Sequence, residues 1–148
     1  MIIFVGSDHN GYDLKDKIIA YLKKSNYEVV DNGDQKYDAN DDFPVFAQRV
    51  SNSMKLSQDP ESRGILICGS GQGMCMAANR IKGIRACLCW NLVEARASRN
   101  DDDANVLCLS ATSTSIDDAE MIVQTWLATP FSGAERFKRR LNELDEME

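Results

Sequence analysis

The stretch at residues 64–79, GILICGSGQGMCMAAN, constrains the fold more than any other part of this chain. Its apolar residues 65–67 predict a buried strand, and the helix-forming residues 74–80 predict a helix after a glycine-dense turn. Glycines adopt positive φ angles and let another group approach the backbone closely. A strand, such a turn and the start of a helix gather several backbone N–H groups at one point, which favours an anion.

Two side chains at this turn are able to do chemistry, the thiol of Cys68 and the hydroxyl of Ser70. A thiol beside an anion hole indicates a base or a nucleophile. The G-x-G-x-G spacing differs from a dinucleotide fingerprint, and no Lys-Ser/Thr pair follows, which excludes a P-loop. The residues alone leave one alternative open, a tight strand-to-helix connection with a buried, inert cysteine.

Strands and helices are predicted to alternate along the whole chain. Strands are expected at residues 1–6, 27–30, 65–67, 84–89 and 106–109, and helices at 13–24, 44–56, 74–80, 92–99, 116–127 and 133–146. This alternation predicts a single α/β domain, residues 1–148, with a parallel sheet covered by helices on both faces. Ligands of such sheets bind at the carboxyl ends of the strands, near a switch in strand order.

Composition excludes several classes of protein. The chain has 17 basic and 23 acidic residues, a net charge of −6, which argues against nucleic acid as the main partner. Its apolar runs are shorter than the roughly 20 residues of a membrane helix, and Met1 leads directly into a predicted strand rather than a secretory signal. Five cysteines, an odd number, favour free thiols and a cytoplasmic location, and the Cys87-x-Cys89 spacing does not suit zinc.

Two further groups of residues are candidates for binding a phosphate. His9, the one histidine, follows the first strand and Asp8, and a neighbouring carboxylate favours an oriented or charged imidazole. Arg136 and Arg140 are four residues apart and share one face of the last predicted helix, so they could clamp a phosphate. The residues themselves also allow a packing role for His9 and a solvated charged face for the arginines.

Several motifs together resemble one family. They are SDHNGYDLK at 7–15, GILICGSGQG at 64–73, AAN at 77–79, KGIRA at 82–86, DANVL at 103–107 and TPFSG at 129–133. In this order, over nearly the whole length, the chain resembles the B-type ribose-5-phosphate isomerases, a family that includes allose- and galactose-6-phosphate isomerases. The resemblance implies a Rossmann-like, three-layer α/β/α fold with a five-stranded parallel sheet.

The resemblance also implies an activity and an assembly. The expected reaction is the aldose–ketose interconversion of ribose 5-phosphate and ribulose 5-phosphate through an enediolate, without a metal or another cofactor. The expected assembly is a homodimer, or a tetramer, in which the C-terminal helix reaches the partner subunit and the active sites are shared.

Residue roles carried over from the family complete the expectation. Cys68 is similar to the catalytic base that moves a proton between C2 and C1, and Asp8 and His9 match a substrate-binding pair. Arg136 and Arg140 are similar to phosphate ligands from the partner chain. The resemblance assigns the anion hole of the enediolate to the turn, that is to Ser70 and the amides of Gly69, Gly71, Gln72 and Gly73.

The chain departs from the family at five positions. Asp101 and Asp102 stand where the family has His-Asn, whose histidine opens the sugar ring, so Asp101 is predicted to take that role and Asp102 to contact substrate. Thr112 replaces a phosphate-binding arginine, Phe43 replaces a tyrosine, and Met74 stands where some members have a glutamate base. These departures keep three alternatives open: an acidic turn at 101–103, an isomerase for another sugar phosphate, and a catalytically weakened sugar-phosphate-binding protein.

Overall fold

A computed structural model describes residues 1–147 and shows strands and helices in alternation. The strands are β1 (Ile2–Ser7), β2 (Glu28–Asp31), β3 (Arg63–Cys68), β4 (Ala86–Leu88) and β5 (Val106–Ser110). The helices are α1 (Tyr12–Lys24), α2 (Phe43–Leu56), α3 (Gln72–Ala78), α4 (Leu92–Asn100), α5 (Ile116–Ala128) and α6 (Glu135–Asp145). None of the helices in this described range is long and apolar enough to cross a membrane.

The five strands form one parallel sheet in the order β2-β1-β3-β5-β4, which confirms the predicted α/β class. From β1 the chain adds β2 on one side and β3 on the other, so the strand order switches between β1 and β3. β4 lies at an edge of the sheet, next to β5. The switch point between β1 and β3 is where a sheet of this topology binds its ligand.

Alternating side chains of the strands feed two hydrophobic cores, one on each face of the sheet. Ile65 and Ile67 of β3 pack with α1, α4 and α5, around the fully buried Trp126. Leu66 and Cys68, the intervening residues, face the opposite core with α2 and α3. The three-layer arrangement is confirmed, and it fixes on which face of the sheet the Cys68 thiol lies.

Several elements differ from those predicted, most by one or two residues, and the structure shows details at three places. β4 is shorter than the predicted strand at 84–89. The side-chain oxygen of Asn105 accepts the backbone N–H of Arg85 at 2.8 Å, so the backbone pairing of the strand begins only at Ala86. The loop after β1 contains a short 3-10 turn, His9–Gly11, capped by the Asp8 side chain. Helix α6 begins two residues later than expected, behind Gly133, which has a φ of +64°.

Candidate active site

Two neighbouring strands deliver the predicted site residues to the switch point. Ser7 of β1 pairs with Ile67 of β3, and the Asp8 backbone N–H extends this ladder to the Ile67 carbonyl at 3.3 Å. Asp8 is therefore level with Cys68, which in turn pairs with Ser110 of β5. The carboxyl ends of β1, β3 and β5 thus place a carboxylate, a thiol and a hydroxyl in one row.

The Cys68 thiol is buried, with 5% of the residue exposed, and it accepts a hydrogen bond from the Gly71 N–H at 3.1 Å. This contact requires Gly71 to turn back over the end of β3, at a φ of +76°. A Cβ at that position would lie 2.4 Å from Cδ1 of Leu88. Only glycine fits both the conformation and the space, so the turn holds the sulfur at a defined point.

The remaining residues of the turn present polar groups around this sulfur. The Ser70 hydroxyl is exposed and accepts the Gln72 N–H at 3.3 Å, so its own hydrogen can be donated to a ligand. The Gly69 carbonyl accepts the Ser110 hydroxyl at 2.8 Å and the Thr112 N–H at 3.0 Å. These bonds tie the turn to β5.

Phe43, the first residue of α2, packs against the turn. A Cβ at Gly73 would lie 3.0–3.1 Å from three carbons of the Phe43 ring, so the ring lies directly on the Gly73 Cα. The ring is 36% exposed and forms an apolar wall beside the start of α3. Since phenylalanine has no hydroxyl, this ring can make apolar contacts but cannot form a side-chain O–H hydrogen bond.

Asp8 is buried and its Oδ1 accepts the Gly11 N–H at 3.1 Å. Burial raises the pKa of this carboxyl, although the hydrogen bond from Gly11 opposes the shift. The side chain is held close to the end of β3, and its contact with a sugar hydroxyl stays a prediction.

His9 is held by a carboxylate that sequence reasoning did not single out, Asp41. The ring Nδ1 lies 2.7 Å from the Asp41 Oδ1, and the same oxygen accepts the His9 backbone N–H at 3.0 Å. On the other side of the ring, Nε2 lies 2.9 Å from Nδ2 of Asn10. The hydrogen bond with Asp41 raises the pKa of His9 above its ordinary value.

A second group of predicted residues lies elsewhere in the subunit. Asp101 caps the carboxyl end of α4, and its Oδ1 accepts the side-chain amide of Asn100 at 2.7 Å. Asp101, Asp102 and Arg140 line a cavity of about 580 Å³ between α6 and the edge strand β4. The pKa of Asp102 is raised by burial and then by the neighbouring Asp101 charge.

The third acidic residue of this run is structural. Asp103 has a φ of +44° and bridges two guanidinium groups, those of Arg85 at 2.9 Å and Arg99 at 2.8 Å. It therefore anchors the turn that leads into β5. The alternative of a structural acidic turn is correct for Asp103, while the roles of Asp101 and Asp102 stay predictions.

Arg136 and Arg140 are exposed and flank one buried ring on α6. Their guanidinium carbons lie 4.5 and 5.8 Å from the centre of the Phe137 ring. The two cations thus project from the same side of the helix, as their spacing predicts. Their contact with a phosphate stays a prediction.

Within one subunit the two groups are far apart. The turn at Cys68 follows the carboxyl end of β3, whereas residues 101–103 precede the amino end of β5. Gly64 pairs with Val106 and Cys68 with Ser110, so the groups are separated by at least the four residue steps of the strand, roughly 13 Å. That both groups belong to one active site stays a prediction.

Three residues near the turn were not selected from the sequence as site residues: Asn10, Asp41 and Thr112. Asp41 belongs to the polar segment 31–42, which contains several acidic residues, and nothing in the sequence distinguishes Asp41 from the others. Thr112 lies next to Gly69, in the position where the resemblance leads one to expect a cation. Among residues 1–147, no group of three or more histidine, cysteine, aspartate or glutamate side chains is arranged to hold a metal ion.

Comparison with known proteins identifies the family of this chain. Residues 3–144 match the Ribose/Galactose Isomerase family. A probable ribose-5-phosphate isomerase B of Mycoplasma genitalium is 43% identical over 142 residues, which are 96% of this chain and 92% of that protein. The ribose-5-phosphate isomerase B of Escherichia coli K12 is 35% identical over 146 residues, 99% of this chain and 95% of that protein.

Solved structures show the same relationship. The Mycoplasma genitalium ribose-5-phosphate isomerase B with bound ribulose-5-phosphate has a TM-score of 0.93 and 42% identity, and the match covers 99% of this chain and 95% of that one. Its counterpart from Clostridium thermocellum gives the same TM-score and identity, over 99% and 97%. The matched family spans almost the whole length, so this chain belongs to the Ribose/Galactose Isomerase family.

Proposed function

We propose that this protein is an aldose–ketose isomerase that interconverts ribose 5-phosphate and ribulose 5-phosphate through an enediolate. The observation that carries the proposal is the Cys68 thiol, held by the Gly71 N–H at the switch point of the sheet and level with Asp8. Relatives that share 35–43% of their residues with this chain are named for this reaction, and one of them holds ribulose-5-phosphate.

The proposed chemistry is a proton transfer between adjacent carbons. The Cys68 thiolate removes the proton from C2 of the open aldose, a double bond forms between C1 and C2, and the negative charge moves to the C1 oxygen. Donors from the turn, with the Ser70 hydroxyl among them, stabilise this oxyanion. A proton passes from the C2 oxygen to the C1 oxygen, the thiol returns its proton to C1, and the ketose is complete.

Recognition of the sugar phosphate is assigned to three groups. Asp8 accepts a sugar hydroxyl, His9 contacts the phosphate, and Arg136 and Arg140 of a second copy bind it through charge-assisted hydrogen bonds. Asp101 of that second copy takes and gives the proton that opens the ring, and Asp102 lies beside it. This assignment explains why each subunit carries both groups of residues at opposite ends of its sheet.

We infer that the protein is a homodimer built around β4. This strand is at the sheet edge, and the residues beside it include Met76, Trp90 and Val93, which are 64%, 60% and 69% exposed. Exposed apolar side chains next to an open strand edge are typical of a protein interface. A tetramer would need a second such surface. The five cysteines are all free, which suits the reducing cytoplasm.

A second candidate rests on Asp101 and Thr112. These residues stand where the family has a ring-opening histidine and a phosphate-binding arginine. The backbone N–H of Thr112 donates a hydrogen bond to the Gly69 carbonyl. Both changes are compatible with another sugar phosphate as the substrate, or with binding at reduced turnover. Pocket shape distinguishes substrates that differ by one hydroxyl or methylene, by about 1–3 kcal/mol.

A coupled isomerase assay with ribose 5-phosphate, allose 6-phosphate and galactose 6-phosphate tests the proposal. We expect the highest kcat/KM for ribose 5-phosphate. A preference for either hexose phosphate would favour the second candidate. Binding of all three sugars without turnover would identify a binding protein and contradict the isomerase assignment.

A further inference from the structure

Both ring nitrogens of His9 have partners, which is unusual for a side chain that is 26% exposed. The Asp41 carboxylate, 9% exposed, receives two hydrogen bonds from the same residue, one from Nδ1 and one from the backbone N–H, through the single oxygen Oδ1. Two contacts to one oxygen fix both the backbone and the ring of His9. A surface histidine with one partner would still be able to rotate about its side-chain bonds.

The tautomer of the ring follows from these contacts. An ionised carboxylate only accepts hydrogen bonds, so Nδ1 carries the hydrogen and Nε2 is the free nitrogen of the neutral ring. Nε2 then accepts from the Asn10 amide, whose side chain lies beside the Gly69 position. When the ring takes a second proton, Nε2 becomes a donor, so the Asn10 amide can no longer donate to it and Nε2 can bind an acceptor on the side of the glycine turn.

The charges around His9 favour this second proton. The hydrogen bond with Asp41 is the largest cause of the raised pKa, and the Asp41, Asp8 and Asp38 charges add to it, while partial burial opposes it. The edge of the ring also meets Tyr37, with ring centres 6.4 Å apart. Asp8 comes from the end of β1, and Tyr37, Asp38 and Asp41 come from the segment before α2.

We propose that Asp41 is a positioning residue for phosphate recognition, because it holds His9 with Nδ1 on its carboxylate and thereby presents Nε2 to the phosphate of the substrate. The inference rests on the proposed function, in which His9 contacts that phosphate. Asp41 itself touches no substrate, and its effect passes through the orientation and charge of the imidazole.

Nuclear magnetic resonance tests the pairing directly, since His9 is the one histidine of the chain and gives one set of ring signals. The pH titration and the ring nitrogen shifts are recorded for the wild type, Asp41→Asn and Asp38→Asn. Asp38→Asn is the matched control, because it removes a charge from the same segment without a hydrogen bond to the ring. We expect Asp41→Asn to lower the pKa of His9 and mix the tautomers, and Asp38→Asn to leave the tautomer unchanged.

Kinetics then separate positioning from a merely structural role. For Asp41→Asn we expect KM for ribose 5-phosphate to rise about tenfold at pH 8, where the charge is lost, with kcat within about twofold. Asp38→Asn should retain the wild-type KM. Asp41→Glu, which keeps the charge but moves the oxygen by one methylene, should raise KM at every pH.

The outcomes are distinguishable from those of the proposed function. Suppose that the wild type turns over ribose 5-phosphate. If Asp41→Asn and Asp38→Asn then have the same KM, or the same His9 titration, the role of Asp41 is overturned. A wild type without turnover would contradict the proposed function. In that case inorganic phosphate is added in place of the substrate, and its effect on the His9 signals is measured. Phosphate that shifts the His9 signals in the wild type and less in Asp41→Asn supports the inference, and an equal response in both overturns it.

Discussion

The backbone N–H of Gly71 donates to the Sγ of Cys68 at 3.1 Å, so the turn after β3 closes back onto the residue that ends the strand. The position of the sulfur therefore depends on one peptide group. That group is fixed by the positive φ of Gly71 and by its packing against Leu88. We therefore expect the reactivity of Cys68 to depend on the backbone conformation of the turn.

Gly71→Ala tests this dependence. A Cβ would lie 2.4 Å from Cδ1 of Leu88 and 3.1 Å from the Leu109 backbone, at a φ that alanine rarely adopts, so either the Leu88 side chain or the turn must shift. A displacement of about 1 Å at a reacting group costs on the order of a hundredfold in rate, and we expect kcat to fall by that factor.

Gly83→Ala is the matched control for Gly71→Ala. Gly83 has a similar φ, +81°, but a Cβ there meets no described atom within 4 Å. Gly83→Ala should lower the free energy of unfolding by about 1–2 kcal/mol, through conformational strain alone, and leave kcat unchanged. Equal losses of kcat in the two variants would contradict a special role for the turn.

Arg140→Ala should raise KM for ribose 5-phosphate at least tenfold, because a charge-assisted hydrogen bond contributes about 1.5–3 kcal/mol. Arg139→Ala is the control on the same helix, since Arg139 pairs with Glu143 at 3.7 Å instead. Steady-state kinetics of the two variants measure the difference, and the same result is expected for Arg136→Ala. A KM for Arg140→Ala equal to that of Arg139→Ala would remove Arg140 from the site.

A mixture of subunits tests whether the site is shared between two copies. Arg140→Ala and Cys68→Ser subunits are co-expressed with different tags, and the mixed dimer is purified. One of its two sites would combine an intact Cys68 with an intact Arg140, so we expect about half of the wild-type kcat at the wild-type KM. A mixed dimer with half of the wild-type kcat but the raised KM of Arg140→Ala would show that Cys68 and Arg140 act within one chain.

Asp101→Asn keeps the oxygen that accepts the Asn100 amide at 2.7 Å and removes the proton-transfer group. If Asp101 opens the ring, kcat/KM for ribose 5-phosphate should fall about a hundredfold, within the range of general acid–base catalysis. Erythrose 4-phosphate, whose ring-closing hydroxyl carries the phosphate, needs no such step, and its kcat/KM should change little. Equal effects on both sugars, or none, would assign Asp101 to structure.

Stability should depend on pH through His9 and Asp41. The folded-state pKa of His9 is raised by the Asp41 hydrogen bond, so this pairing stabilises the fold fully below the ordinary pKa of about 6.5 and is lost as pH rises through the folded-state pKa. We expect the difference in unfolding free energy between the wild type and Asp41→Asn to narrow between pH 6 and pH 9. Urea denaturation at both values measures it, and a constant difference would contradict the charged pairing.

Local sequence patterns were sufficient to predict the parallel sheet and the turn. The apolar run of β3, the glycines after it and Cys68 are contiguous, so one short segment determines strand, turn and thiol together. Asp8 and Cys68 could also be expected to meet, because both follow strands of a parallel sheet.

Contacts between distant and irregular segments could not be predicted in this way. Asp41 is 32 residues from His9, in a segment without helix or strand periodicity, so no pattern indicates their pairing. Lys15 lies on the same face of α1 as Ile18 and Ile19 and is 1% exposed, but its partner, the Asp31 carboxylate at 2.7 Å from Nζ, comes from β2 and is not indicated by the helical pattern. Whether α6 reaches a partner depends on a second copy, which one sequence does not describe.

The central claim is that Cys68 is the base of an isomerisation. Cys68→Ser should lose almost all turnover and keep substrate binding, because a serine hydroxyl is a far weaker base than a thiolate at neutral pH. Cys75→Ser is the control, since that thiol, on α3, donates to the Ala86 carbonyl and a hydroxyl can do the same. Its turnover should stay within about twofold of the wild type.

The most direct measurement is proton exchange during turnover of ribose 5-phosphate in deuterium oxide, followed by nuclear magnetic resonance. A base that carries the proton from C2 to C1 and exchanges with solvent places deuterium at C1 of the ribulose 5-phosphate product. We predict this label with the wild type and with Cys75→Ser, and neither product nor label with Cys68→Ser. Labelled product at the wild-type rate from Cys68→Ser would contradict the account, because another group would then be moving the proton.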